Sequence, residues 1–543
     1  MDEFEPDLDA FGSRRSTVYG QKGVVSTSQP LAAQAGIETL QSGGNAFDAA
    51  VATAAALNVV EPTSTGLGGD VFALYRTAAG DVGAMRSCGG APAAATLENV
   101  RSAILEEDSD ADPDNLEMPQ TGGHAVTVPG TARGWELTIE EFGTLSLSDV
   151  LSPAIRYAID GYPVSEVVAE QWEHGEEIFE TPHARDAFLF DGKAPSVGQY
   201  VTLPKLGRSM QKIAAHGADI VYEGEIAEAI AAEVQAAGGF LTVEDLRSFE
   251  PELLDPVSTT YNGATVYELP PNNQGLIALE ALNIAEEIGA GEHPYDSPER
   301  VHAFAEAMKL AFVDGHHYIT DPAYEEIPPL GSKSWAKERA SEIGETANND
   351  VSIGVPDANA EDADTVLLTV ADDEGNVVSY INSRFAGFGS GLVAGETGIA
   401  LQNRGWSFSL SEEHPNKIEP GKKPFHTLIP GLVELEDGDW AAFGVMGGFM
   451  QPQGHVQVVS NIVDYEMPLQ AALDAPRWRY REDGQLALEP QFDDNIAAKL
   501  ARKEHAVQIL APRMFGGAQI TRNNDGILSG ATEPRKDGNA QGY

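Results

Sequence analysis

The stretch EDADTVLLTVADDEGN, Glu361–Asn376, changes character in the middle. An acidic, turn-like run stops at Asp364, and from Thr365 a segment rich in β-branched and apolar residues follows, as in a strand. Two readings of Thr365 follow. It is the first residue of a strand, or it is a nucleophile whose amino group is freed by cutting the chain before it. The second has a definite chemical logic. A threonine hydroxyl needs a base, and an N-terminal threonine carries one in its own α-amine. With a pKa of about 7.7–8.0, roughly a tenth of that amine is neutral at pH 7, against less than about 0.1% for a lysine.

Upstream, Asn348 to Asp364 is acidic and poor in apolar residues, and reads as a solvent-exposed loop that would let new chain ends part. Downstream, TVLLTVAD, NVVSYINS, LIPGLVEL and WAAFGVMG read as strands, and QPQGHVQVVSNIVDY and PLQAALDA as helices. Thr369 lies four residues beyond Thr365 and reads as a strand residue on the same face. Near the start, a strand from Gly23 to Ser26 precedes a helix from Pro30 to Gln41, stopped by Gly43-Gly44. Asn45 then caps a second helix, Ala46 to Val59, apolar nearly all round and therefore buried. From Leu147 to Ile319 the pattern is mostly helical, broken by a strand at ATVYELP. There is no internal repeat. Blocks of helix and strand in this order give an α+β layered fold rather than an alternating parallel sheet.

The chain has 543 residues, 42% of them hydrophobic and 22% charged, enough for two domains or one large layered unit. No apolar run reaches the roughly 18 residues that span a bilayer. The start is acidic and lacks a signal-peptide core, and nothing hydrophobic follows Arg14-Arg15, so the expected compartment is the cytoplasm. A net charge of −50 excludes nucleic acid as a partner and suits a high-salt cytoplasm, where screening shortens to about 3 Å at 1 M. The single cysteine, Cys88, forms no internal disulfide and reads as a structural thiol.

Other motifs carry less. GLGGD (Gly66–Asp70) and GFGSG (Gly387–Gly391) lack the strand–glycine–helix order of a phosphate loop. The adjacent histidines of DGHHYITD diverge by about 100° on a helix and read as a helix end rather than a metal site. No metal or cofactor is expected.

The segments GGNAFDAAVATAAALNVVEPTSTGLGGD, VPGTARGW, SPAIRYAIDGYPVS, GGFLTVEDL, DTVLLTVADDEGNVVSYINSRFAGFGSGLVAGETGIALQNRG, KIEPGKKPFHTLIPGLV and GVMGGFMQPQGHVQVVSNIVD together resemble the γ-glutamyltranspeptidase family, in the family's order, from about Gly20 to near Arg522. The resemblance implies an N-terminal nucleophile hydrolase with a four-layer αββα sandwich. It implies a precursor that cuts itself between Asp364 and Thr365. Residues 1–19 would be an acidic tail, 20–364 the large chain and 365–543 the small chain, and the two chains would stay associated. It assigns Thr365 as nucleophile, Ser383 as the hydroxyl beside it, and Gly447-Gly448 as the oxyanion turn.

The substrate-reading positions depart from the family pattern. Arg86 stands two positions early for the arginine that grips the α-carboxylate. Ser407 replaces the acidic residue that pairs with the α-ammonium, with Arg404 just upstream. His426-Thr427 replace a serine pair, and Phe385 replaces an acceptor-side asparagine. The activity implied is cleavage of γ-glutamyl amides of small molecules through an acyl-threonine, with hydrolysis favoured over transfer. The alternative is an acylase of glutaryl-type amides, since a glutaryl group is a γ-glutamyl group without the amine. A remoter alternative is an uncut, non-enzymatic homologue.

Overall fold

A computed structural model describes residues 15–108, 110–349, 365–435 and 438–543. The junction residue Asp364 and nearly all of the acidic loop before it lie outside these residues, as does most of the acidic N-terminal tail.

The strand opened by Thr365, Val366–Asp372, is buried along its whole length because both of its faces are covered. Its alternation divides the side chains between two cores. Leu367 and Ala371 point into an apolar layer shared with Leu432, Ala442 and Met446. Val366, Leu368 and Val370 point the other way, into a core built with helices. Two sheets and two helical layers follow from this partition.

The first sheet runs, in spatial order, Asn539–Gly542, Gly23–Thr27, Val366–Asp372, Val377–Ser383, Asp70–Arg76, Val82–Ser87 and Glu252–Leu254. The second runs Val18–Gly20, Ile527–Thr532, Gly517–Asn524, Asp439–Met446, Gly431–Leu435, Ala264–Glu268 and Val257–Tyr261. All pairings within both sheets are antiparallel. The helices Pro30–Gln41, Ala46–Val60 and Thr131–Phe142 cover the first sheet, with Leu147–Asp160 packed outside them on Ala46–Val60. Gly275–Glu287 and Met450–Val463 cover the second, with Pro298–Tyr318 packed on Gly275–Glu287. The result is the αββα sandwich.

Local signals explain the elements that position the site. Helix Ala46–Val60 starts in a capping box, with Asn45 accepting from the Asp48 N–H and Asp48 accepting from the Asn45 N–H, and all 15 of its residues are buried. LIPGLVEL forms a strand only from Gly431 to Leu435, since Pro430 has no N–H to give a ladder. The sequence reading gives no strand for Val257–Tyr261, Gly517–Asn524, Ile527–Thr532 or Asn539–Gly542, yet the second sheet depends on the first three. The helix Pro298–Tyr318 ends within DGHHY. There His316 packs between Phe312, Phe425 and Phe449, while His317 meets Tyr318. The two rings therefore point apart.

Candidate active site

Thr365 stands at the head of its strand with 1% of its surface exposed. The antiparallel register pairs Val366 with Asn382, which sets Thr365 opposite Ser383. Thr365 Oγ1 donates to Ser383 Oγ at 3.4 Å, and Ser383 Oγ also accepts the Phe385 N–H at 2.8 Å. Phe385 is held at φ +85°, a conformation that costs a bulky residue about 1–3 kcal/mol. The neighbouring Ala386 N–H, donated to Asn403 Oδ1 at 3.1 Å, stitches this corner to the segment carrying Arg404.

Ser383 is in turn paired with Asp70 on the adjacent strand. Asp70 is wholly buried and accepts three hydrogen bonds, from the Gly130 N–H at 3.1 Å, Gln402 Nε2 at 3.2 Å and His426 Nε2 at 3.0 Å. The Leu428 N–H donates to His426 Nδ1 at 3.2 Å, so the ring proton sits on Nε2 and faces Asp70. Burial raises the Asp70 carboxyl to about 7 against the pull of Arg404, Gln402 and Gly130. Burial, with Arg404 and Arg86 nearby, holds His426 neutral, well below the ordinary histidine range. The glycines of GLGGD serve close packing here. A Cβ on Gly68 would sit 2.3 Å from the Ala400 carbonyl oxygen, and one on Gly69 2.3 Å from that of Ser383.

Arg404 has no exposed surface. Its Nη1 donates to Thr427 Oγ1 at 2.9 Å, and its guanidinium lies 4.3 Å from the centre of the Phe385 ring. Its Nε and Nη2 are buried without a partner among the described residues. Burial lowers this cation to about 10, partly offset by Asp70. Half of a guanidinium fork is thus available to a bidentate anion.

The opposite sheet supplies the turn. Strand Asp439–Met446 ends in Gly447-Gly448, at φ +109° and +56°, and helix Met450–Val463 follows at once. Their carbonyls accept the first helical N–H groups, Met450 to Gly447 at 2.9 Å and Gln451 to Gly448 at 3.2 Å. Among the described residues, neither glycine N–H is given to a turn, loop or cap carbonyl. Two backbone donors at a helix N-terminus suit a developing oxyanion.

Hydrogen bonds tie both sheets at this end of the sandwich. Gln274 Nε2 donates to the Gly448 carbonyl at 2.9 Å and the Thr427 carbonyl at 2.7 Å. Thr427 holds Arg404, its neighbour His426 holds Asp70, and Asp70 pairs with Ser383 beside Thr365. Thr365, Ser383, Arg404, His426, Thr427 and Gly447-Gly448 thereby form one connected cluster. Arg86 is nearby but engaged elsewhere: its Nε donates to Glu252 Oε2 at 2.9 Å, and its Nη1 to the Pro271 carbonyl and Asn272 Oδ1. Ser407 lines a cavity of about 830 Å³ with Phe385, Trp406, Phe425, Phe449 and His316, and its hydroxyl is buried without a partner among the described residues. Sequence reasoning misses Asp70 and Gln274. The only signal for Asp70 is its place at the end of the glycine run, and Gln274 sits in PPNNQG, which matches no catalytic motif.

Comparison with known proteins adds an independent line. The family model described as Gamma-glutamyltranspeptidase matches residues 32–543. The chain is 38% identical to the glutathione hydrolase-like YwrD proenzyme of Bacillus subtilis (strain 168), over 97% of this chain and 99% of the relative. It is 34% identical to the oxamate amidohydrolase proenzyme of Klebsiella pneumoniae, over 96% and 98%. Among solved structures, a cephalosporin acylase from Bacillus halodurans superposes with a TM-score of 0.89 at 42% identity, covering 99% of both chains.

Proposed function

The chain belongs to the γ-glutamyltranspeptidase family, and from that premise we propose that it is a self-processing N-terminal threonine hydrolase that cleaves γ-glutamyl amides of the glutathione type. The observation that carries this reading is the Thr365–Ser383 hydroxyl pair beside a buried, half-engaged Arg404. In the precursor, Thr365 Oγ1 attacks the Asp364 carbonyl carbon, the C–N bond breaks, and the Thr365 nitrogen takes the proton. Water then hydrolyses the resulting ester, which leaves a free α-amine on Thr365.

Before attack the Thr365 hydroxyl donates to Ser383, which fixes its rotamer. As Oγ1 attacks the substrate carbonyl, that single proton passes to the amine instead of Ser383. The N–H groups of Gly447 and Gly448 receive the negative oxygen, each worth about 10²- to 10³-fold in rate. The amine returns the proton to the leaving nitrogen, and the acyl group remains as an ester on Thr365. Water, deprotonated by the same amine, releases the acid. Arg404 holds the acyl carboxylate through Nε and Nη2, and Arg86 supports the neighbouring backbone. Hydrolysis is favoured over transfer because Phe385, packed on Trp406, puts an apolar ring on the acceptor side. Faster product formation with glycylglycine than with water alone would overturn that preference.

A second reading, an acylase of glutaryl-type amides, is favoured by Ser407. An ammonium buried there without an anion costs several kcal/mol, and a glutaryl group has none. The decisive comparison is kcat/KM for γ-glutamyl-p-nitroanilide against glutaryl-p-nitroanilide. The γ-glutamyl reading expects the first to be the better substrate, and the acylase reading the second. Intact mass after folding in molar KCl tests the common premise: two chains are expected, the smaller starting at Thr365, and a persistent single chain would sink both.

A further inference from the structure

Gln274 joins the two ends of the substrate site with a single side chain. Its amide nitrogen gives one hydrogen to the Thr427 carbonyl at 2.7 Å and the other to the Gly448 carbonyl at 2.9 Å. The residue has no exposed surface, and its own backbone N–H is held by the His426 carbonyl at 3.1 Å. Its Oε1 is buried without a partner among the described residues, so the structure uses this side chain for its donors. Thr427 is the residue whose hydroxyl holds Arg404, and Gly448 belongs to the left-handed turn to which the proposed mechanism gives the oxyanion. The run Arg404–Thr427–Gln274–Gly448 is therefore an unbroken series of hydrogen bonds from the carboxylate grip to the oxyanion turn. Both donors sit on one planar amide, so the two carbonyls do not drift independently. A second tie, the Ile429 N–H donated to Gln451 Oε1 at 3.1 Å, joins the same two segments two residues further on.

We propose that Gln274 is a positioning residue that sets the acyl chain length the enzyme accepts, an inference that rests on Arg404 as carboxylate holder and Gly447-Gly448 as oxyanion turn. With the carboxylate gripped at one end, the scissile carbonyl reaches the turn only when the number of methylenes matches the fixed span. A productive geometry tolerates about 0.5 Å, less than one methylene adds. Loosening the bridge widens the range of lengths at the expense of the best one.

The test compares kcat and KM for succinyl-, glutaryl-, adipyl- and γ-glutamyl-p-nitroanilide in the self-processed wild type, Gln274→Leu and Gln274→Asn. Leucine keeps most of the volume without donors, and asparagine keeps the donors one methylene shorter, so either variant that folds suffices. Folding is checked by melting temperature and by complete cleavage into two chains. The wild type is expected to favour one of the three amine-free lengths by at least about tenfold, given that a 1 Å misplacement costs about 10²-fold. Gln274→Leu is expected to compress that preference below about threefold, mainly through a lower kcat on the favoured length, and Gln274→Asn to compress it or move it to a shorter chain. Variants that slow all lengths by one common factor, or leave the preference intact, would show that Gln274 only packs. A wild type that cleaves none of the four would instead remove Arg404 as the carboxylate holder, and the proposal with it.

Discussion

At Thr365 the proposed chemistry turns on a single proton and on which nitrogen receives it. In the proposed mechanism the hydroxyl, held by Ser383, needs a free α-amine to take its proton, which the uncut chain would lack. Thr365→Ala is expected to stay a single chain by intact mass and to release no p-nitroaniline, whereas Thr365→Ser retains both reactions. Arg404 is the other residue on which the reading depends. A guanidinium with no exposed surface and two of its nitrogens unpartnered among the described residues is costly, and a bidentate carboxylate would relieve that cost. Arg404→Gln is expected to lower kcat/KM for carboxylate-bearing acyl amides by about 10²-fold, the worth of one or two charge-assisted hydrogen bonds. A smaller loss than on an amide with no acyl carboxylate would remove Arg404 from substrate binding. Cys88, in contrast, is buried and its thiol is pushed up to about 12, which suits packing rather than nucleophilic attack.

Among the elements, the strand–turn–helix unit from Asp439 to Val463 gives the clearest mutational test. Gly447 sits at φ +109°, and a Cβ there would meet Gly516 Cα at 3.1 Å. Gly447→Ala is expected to cost about 1–3 kcal/mol in stability and to lower kcat, read from a denaturation curve and from turnover on the same preparation. Two buried histidines, His316 on the helix Pro298–Tyr318 and His505 packed against His302 of that helix, contribute an acid sensitivity. Burial lowers His316 to about 3, and burial with nearby His302, Lys309 and Lys503 lowers His505 to about 3. The folded state keeps both rings neutral while the unfolded chain takes protons below about 6.5. Between about 6.5 and 3 the unfolded state therefore binds more protons, and stability falls as pH falls, by up to about 1.4 kcal/mol per unit for each histidine. Asp70 works in the opposite sense, since a carboxyl raised to about 7 stabilises at low pH and loses that contribution as pH rises through 7. His316→Phe, in a pocket already lined by Phe312, Phe425 and Phe449, is expected to flatten the decline in melting temperature from pH 7 to pH 4. An unchanged slope would mean that His316 is protonated in the folded protein.

For the whole molecule, charge is the governing quantity. The chain carries 84 acidic and 34 basic side chains, a net charge of −50, and self-repulsion at that level opposes compactness. Salt shortens the screening length from about 10 Å at 0.1 M to about 3 Å at 1 M. We therefore propose an adaptation to high salt, in which the melting temperature rises steeply with KCl and levels off near molar concentrations. A melting temperature indifferent to KCl would contradict it. Among the described residues no helix is long and apolar enough to cross a membrane.

The sequence alone determines the layered α+β class, the buried helix from Ala46 and the start of a strand at Thr365, because each is written in local periodicity, capping residues or one abrupt change of composition. The family resemblance adds Ser383 and Gly447-Gly448, whose motifs are contiguous in the chain. Strands Val257–Tyr261 and Gly517–Asn524 are hidden, since their alternation is weak and only their sheet neighbours make them strands. The same holds for the site. Asp70 and His426 are 356 positions apart, and Gln274 is joined to Gly448 across 174. Spacing along a chain does not encode such contacts. Arg86 and Arg404 look equivalent in the sequence, and only packing tells them apart: Glu252 engages the first, while folding buries the second with half its donors unspent.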